Sequence, residues 1–370
     1  MRIVPRVFSS AALLIAAACS DFAYGASPPP PATTATATLA DMPLWAYGVE
    51  SPPKPGDKAE PQAPPQRAFD PAIDHDEQLK PQHVAGSKRS YTLLDLSDQQ
   101  NAVDWFPDEH APMPDVVQHG PARMGKLKRA CAACHGPNGR GRPENAPIAG
   151  LPVAYFLRQL EDFRNGRRKS SDPRKPNVPT MIALAKAMTD AEMRAAATYY
   201  AAQSGGPPVY VIETTGAPKA ELHGNLYIGV GDKRSESLAN RILEMPSDPS
   251  QSQTLDNPHY GHVAYVEKGS VERGRQLVTT GNAAGAQGPA PTLACITCHG
   301  VDLRGVGEVP PLAGRSPSYV VRQLYDFRTG ARNGSQAVQM KPAVAHLTTA
   351  QMTDIAAYLA TLPRADADHR

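Results

Sequence analysis

Two stretches carry residues whose types and spacing can do chemistry: Cys131-Ala132-Ala133-Cys134-His135 and Cys295-Ile296-Thr297-Cys298-His299. In each, two thiols stand about one helical turn apart. Each thiol can therefore form a thioether to one of the two vinyl groups of a haem. The histidine after the second thiol then offers its imidazole to the iron from the same side. Cys-x-x-Cys-His is the attachment spacing of c-type haem, and two copies predict two covalently bound haem c groups. Structural zinc sites also use Cys-x-x-Cys pairs. Here a whole domain length separates the pairs, and each carries a histidine that a four-thiolate site does not need. A thioredoxin-like redox pair belongs beside a βαβ pattern, which this sequence lacks. A plain disulfide is the third alternative.

His135 and His299 are the expected proximal iron ligands. In an electron carrier the opposite face takes methionine or histidine. Met181 follows the proline-bounded run Pro176-Asn177-Val178-Pro179-Thr180, and Met340 lies in Val338-Gln339-Met340-Lys341-Pro342. Both are expected in loops between helices. They stand equally far ahead of Met188 and Leu347, a match that separates them from Met188, Met193 and Met352, whose helical spacing suits a core. His346 is the alternative for the second haem. A thioether is a soft, weak donor that favours Fe(II), and an iron closed on both faces passes electrons without bond chemistry.

The elements that must position these groups come in duplicate. The offset that carries Cys131 onto Cys295 also carries Arg140-Gly141 onto Arg304-Gly305 and Pro147-Ile148-Ala149-Gly150 onto Pro311-Leu312-Ala313-Gly314. It further carries Tyr155 onto Tyr319, Arg158-Gln159-Leu160 onto Arg322-Gln323-Leu324, and Asp162-Phe163-Arg164 onto Asp326-Phe327-Arg328. A gapless match of this length means a duplicated domain. Phe156, Leu160 and Phe163, like Val320, Leu324 and Phe327, line one face of a helix. Gly166 and Gly330 offer its stop. Thr189-x-x-Glu192 and Thr348-x-x-Gln351 are capping boxes that open a terminal helix, with Met352, Ile355, Ala356 and Leu359 as its apolar stripe. Between the copies, Val209–Ile212, Leu226–Val230, Arg241–Glu244 and Val263–Val266 read as short strands. Ser270, Glu272 and Leu277 then begin the entry helix of the second copy.

At 370 residues there is room for two ordinary domains and a tail. A formal charge of +2 gives no reason to expect nucleic acid. Met1-Arg2-Ile3-Val4-Pro5-Arg6 and the apolar run through Ala18 read as a secretory signal, with cleavage after Ser20, Gly25 or Ala26. Lipidation of Cys19, giving a membrane anchor, is the alternative. Export to the periplasm fits, because c-type haem is attached outside the cytoplasmic membrane. From Ser27 to about Ser90 the proline-rich composition predicts an extended tether. Its aromatic island, Met42 to Gly48, either packs on a haem domain or is unstructured. An acidic stretch from Asp70 to Asp115 precedes a basic one from Arg123 to Lys186. The basic face either docks an acidic partner, is covered by the acidic leader, or is simply solvated. The implied layout is a signal segment (1–26), a proline-rich region (27–90), a first haem domain (91–205), a β-like linker (206–266), a second haem domain (267–364) and a tail (365–370).

The paired motifs, the Pro-x-x-Gly after each, the Tyr-x-x-x-Gln-Leu-x-Asp-Phe helix and the late methionine resemble two-haem class I cytochromes c, most closely cytochrome c4. The resemblance covers roughly 126–203 and 269–362. It implies a mainly α fold of two tandem class I cytochrome c domains, here with an irregular N-terminal extension and a small β-like linker. It also implies that the carbonyls of Pro147 and Pro311 hold the Nδ1–H of His135 and His299. The expected activity is electron transfer rather than enzymatic catalysis. Donor and acceptor would be redox proteins: a membrane respiratory complex or periplasmic dehydrogenase on one side, a terminal oxidase or reductase on the other. The alternatives are a dihaem peroxidase-like enzyme or a cytochrome subunit of a dehydrogenase. A dihaem enzyme with a cysteine axial ligand is disfavoured, since every cysteine but Cys19 sits in a haem motif.

Overall fold

The computed structural model describes residues 41–61, 69–231, 234–282 and 290–364. The signal segment, Cys19 and the tail 365–370 lie outside the described residues. The N-terminal extension holds α1 (Leu44–Tyr47), α2 (His75–Leu79), α3 (Leu93–Ser97) and α4 (Asp115–His119). The first haem unit is built from α5 (Cys131–His135), α6 (Val153–Arg164), α7 (Asn177–Ala187) and α8 (Asp190–Ala201). The second follows with α9 (Ser270–Thr280), α10 (Ile296–His299), α11 (Pro317–Thr329), α12 (Ala337–Val344) and α13 (Thr349–Thr361).

The helices begin and end where the side chains dictate. Thr189 Oγ1 accepts from the Glu192 amide at 3.1 Å while Glu192 Oε2 accepts from the Thr189 amide at 2.6 Å. Thr348 and Gln351 repeat the reciprocal pair. Gly330 caps α11 at φ 78°, a left-handed conformation that favours glycine. Phe156, Leu160 and Phe163 of α6 are buried, as is the α13 stripe Met352, Ile355, Ala356 and Leu359. Burying each large side chain stabilises by about 1.5–3 kcal/mol. On α11 the buried face is turned from the expected stripe: Val320, Val321 and Tyr325 are buried, while Leu324 and Phe327 are half-buried.

The two units differ at their entrances. In the second, α9 crosses α13 closely enough that a Cβ on Gly274 would lie 1.9 Å from the Asp354 carbonyl oxygen. The Arg273 guanidinium grips the Asp354 carboxylate beside it at 2.8 and 2.9 Å. Gly274→Ala should therefore destabilise the protein by about 1–3 kcal/mol, the usual cost of overpacking, read as a lower denaturation midpoint. In the first unit the short α4 supplies the cover instead, with Val116 and Val117 buried against α5 and α8.

The β segment is β1 (Tyr210–Thr214), β2 (Ala217–Pro218), β3 (Ala220–His223), β4 (Leu226–Gly229), β5 (Ser235–Glu236), β6 (Leu243–Pro246) and β7 (His262–Glu267). β7 is central in a three-stranded sheet, parallel to β1 through Ile212↔Tyr265 and antiparallel to β6 through Leu243↔Tyr265. The alternation of β7 buries Ala264 and Val266 in the core of the second unit, together with Val209 and Ile242. The expected linker thus sends its sheet into the core of the second unit, while Asp256 and Tyr260 meet Arg140 of the first.

Nor is the proline-rich region wholly an extended tether. Met42, Ala46 and Tyr47 are buried in the second unit's core, so the aromatic island packs. A composition average over prolines and charges hides a few side chains that find a slot. The basic stretch is likewise not simply a solvated face. Arg164 pairs with Glu161 and Asp190, Arg167 with Asp162, and Arg140 and Arg142 with Asp256 of the β segment.

Candidate haem sites

Both motifs fold the same way. His135 ends α5 and His299 ends α10; each chain then turns at a glycine and returns past the imidazole. The Gly141 and Gly305 amides donate to the His135 and His299 carbonyls at 2.9 Å. Both glycines are left-handed, and a Cβ would lie within 2.6 Å of the returning backbone. That return places a carbonyl against each ring: His135 Nδ1 donates to Ala146 O and His299 Nδ1 to Pro310 O, both at 2.8 Å. A carbonyl only accepts, so Nδ1 carries the proton and Nε2 keeps its lone pair for a metal. Burial lowers the pKa of both imidazoles and favours this neutral form.

These acceptors correct the expected Pro147 and Pro311. In each case the bonded oxygen belongs to the residue just before. The carbonyl of an X–Pro peptide group is carried by X, so proline fixes the peptide without supplying the oxygen. The proline carbonyls instead accept from one side chain, Arg315, which donates Nε to Pro311 O at 2.8 Å and Nη1 to Pro147 O. One guanidinium thus ties together the loops that hold the two histidines.

Cys131, Cys134, His135 and Met181 line one cavity of about 240 Å³, walled by Phe156, Leu160 and Leu184. Its polar side takes Arg168 and Lys175 from the first unit and Tyr319, Arg322 and Gln323 from the second. Burial pushes the Cys131 thiol up to about 12 and the Cys295 thiol up to about 11. The four motif cysteines are free thiols. In the second unit, Met340 packs on the same core as Cys295, Leu324 and Phe327. Met181 lies in α7 and Met340 in α12, where loops were expected. The prolines misled: Pro179 sits in the first turn of α7, where a missing N–H costs nothing, and α12 runs through Pro342. Met188, Met193 and Met352 are core residues and His346 is exposed.

The junction of the units was not foreseen. Arg168 and Arg332, 9% and 6% exposed, meet as an antiparallel bridge. Arg168 donates to Gln159 Oε1 at 3.0 Å, Gln323 Oε1 at 2.9 Å and Tyr319 OH at 3.3 Å. Arg332 donates to Gln323 Oε1 at 3.0 Å, Gln159 Oε1 at 2.7 Å and Tyr155 OH at 2.6 Å. Each guanidinium also lies over its own unit's phenylalanine, Phe163 or Phe327. The network is two-fold in pattern, with every member mapped onto its counterpart. The signal was in the sequence, since the offset that pairs the motifs also pairs Arg168 with Arg332.

The cytochrome c family model matches residues 126–202 and 271–363. Cytochrome c-554(548) of Halomonas halodenitrificans is 37% identical over 65 residues, 17% of this chain and 78% of that protein. The chain belongs to the cytochrome c family. It is 29% identical over 238 residues to the thiosulfate dehydrogenase electron acceptor of Thiomonas intermedia, covering 63% of this chain and 79% of that one. Cytochrome c4 of Pseudomonas aeruginosa is 25% identical over 245 residues, covering 65% and 88% respectively. The protein is a cytochrome c4-like dihaem class I cytochrome, mainly α, that binds two haem c groups and transfers electrons. Its residues fit that group. Each motif brings two thiols and an imidazole with a free Nε2, and the first cavity adds a thioether sulfur, apolar walls and cations suited to haem carboxylates.

Proposed function

We propose that the first iron is held by His135 and Met181 and the second by His299 and Met340, and that both serve a single-electron carrier rather than an enzyme. The observation that supports this most is the convergence of Cys131, Cys134, His135 and Met181 on one buried cavity. Met340 takes the matching place on the matching helix. Irons ligated on both faces have no vacancy for a peroxide or other substrate. The site of action is the periplasm, on the reading of the first 26 residues as an export signal. Among the described residues no helix is long and apolar enough to cross a membrane. The electron donor is a periplasmic dehydrogenase or respiratory complex; the Thiomonas relative is a thiosulfate dehydrogenase electron acceptor. The acceptor is a terminal oxidase or reductase.

Optical spectra of the oxidised and reduced protein, with pyridine-haemochrome quantification, test the ligation. The expected result is two haems per chain and the weak far-red band of Met–Fe(III) coordination. A high-spin or ligand-binding iron in the unaltered protein would overturn the carrier reading.

A further inference from the structure

The N-terminal extension does more than hang from the haem units. Residues 41–51 cross the junction of the units beside the first haem cavity and meet both. The Asp41 carbonyl accepts from Thr349 on α13 at 2.7 Å, and the Ala46 carbonyl from Arg322 on α11. The Tyr47 carbonyl accepts from Lys175 Nζ at 3.3 Å, and the Ser51 carbonyl from Arg174 at 2.6 Å. Tyr47 itself is fully buried, and its hydroxyl donates to Asp326 Oδ1 at 2.7 Å. The same carboxylate oxygen accepts from the amide and hydroxyl of Ser171 in the first unit.

Two of these partners are cations on the wall of the first cavity. Lys175 is 3% and Arg322 5% exposed. For each, the direct hydrogen bond shown is to a carbonyl of the crossing segment. Burial and the neighbouring Arg322 pull the Lys175 ammonium down to about 7, opposed by Glu144, Asp326 and Asp172, so Lys175 is fully charged only below neutral pH while Arg322 is charged throughout.

The second copy lacks this arrangement. Arg158 takes the place of Arg322, is more open, and pairs with Glu308 at 2.5 Å. Asp162 takes the place of Asp326 and accepts from Arg167 at 3.1 Å. Lys175 has no counterpart, because the second copy runs from Asn333 through Gly334, Ser335 and Gln336 straight into α12.

We infer that residues 41–51 form a strap that holds Lys175 and Arg322 against the first haem site and thereby raises the potential of that haem alone. The physics is Coulombic. An oxidised haem carries one more positive charge than a reduced one, so a fixed cation nearby disfavours Fe(III). Burial keeps water from screening the repulsion. Haem carboxylates offset part of this field at both sites, and Glu144 and Asp326 on the wall of the first cavity offset more of it, but the strap-held pair is extra at the first. Tyr47 is a positioning residue, acting through the backbone it anchors. The inference rests on the haem reading of the cavity but not on methionine ligation.

The test is spectroelectrochemistry of the full holoprotein below neutral pH, where Lys175 carries its charge, with the two couples told apart by paramagnetic NMR of the haem methyl groups. Lys175→Gln should lower the first couple and leave the second in place, while Lys175→Arg should restore it. Tyr47→Ala, which empties the strap's anchor, should lower the same couple. The double variant should fall by less than the sum of the single shifts, because part of the Tyr47→Ala effect runs through the Lys175 charge that the other substitution removes. Equal movement of both couples, or an unmoved first couple in Lys175→Gln, would overturn the strap's role. The far-red band, recorded on the same samples, reports separately on the methionine ligands.

Discussion

Arg332→Leu should separate the unfolding of the two haem units. The unaltered protein should unfold in one cooperative denaturant transition seen at both haems, and the variant in two, with a loss of about 1–3 kcal/mol, the usual cost of leaving a buried polar group without its partner. The magnitude follows from what is left behind. Gln159 Oε1 and Gln323 Oε1 each accept from both arginines. Removing one guanidinium takes a bond from each glutamine and the partner from Tyr155 OH. A buried polar group stripped of its partner costs about 1–3 kcal/mol. Lysine should not rescue, because one ammonium cannot present the planar fork that reaches three acceptors. Arg168→Leu should behave alike from the other side, and the double variant should lose less than the sum. One transition in Arg332→Leu, with an unchanged midpoint, would show that the network does not couple the units.

This junction also bears on electron transfer. The first haem cavity is walled partly by Tyr319, Arg322 and Gln323 of the other unit. The units therefore have a fixed register rather than a flexible tether, and the Arg315 link between the two histidine loops reinforces it.

Much of this was legible beforehand, and the failures have physical causes. Both capping boxes and the α13 stripe follow from strictly local rules, and the structure has them. The expected acceptors for His135 and His299 were one residue off, because a family pattern remembers the proline while the oxygen belongs to its predecessor. Nearby prolines suggest loops at Met181 and Met340, but a proline in the first turn of a helix breaks nothing, and α12 runs through Pro342. The buried arginine junction escaped because Arg168 lies in a run of basic residues, where charge suggests solvent. Only partners distant in sequence reveal that it is buried. Tyr47 is similar: nothing near it in the chain tells which core will receive it.

Met181→Ala should open one iron and leave the other closed. Met181 is half-buried in α7 with its side chain on the wall of the first cavity. An alanine there reaches no iron and leaves space beside it. About half of the far-red Met–Fe(III) absorption should disappear, and carbon monoxide should then bind one reduced haem per chain. Loss of the soft thioether removes a preference for Fe(II), so the first couple should fall, by on the order of 100 mV or more within the roughly 0.8 V that axial ligands span. Met340→Ala should do the same to the second couple alone. The control is Met188→Ala, since Met188 is 4% exposed and lines the same cavity. It should cost about 2–5 kcal/mol of stability as a large-to-small core change while keeping the band intact. Loss of the band in Met188→Ala, or its persistence in full in Met181→Ala, would move the ligand assignment to another residue. A band halved by Met181→Ala and halved again by adding Met340→Ala would identify both distal ligands, because only a residue bonded to iron removes that absorption without unfolding the chain.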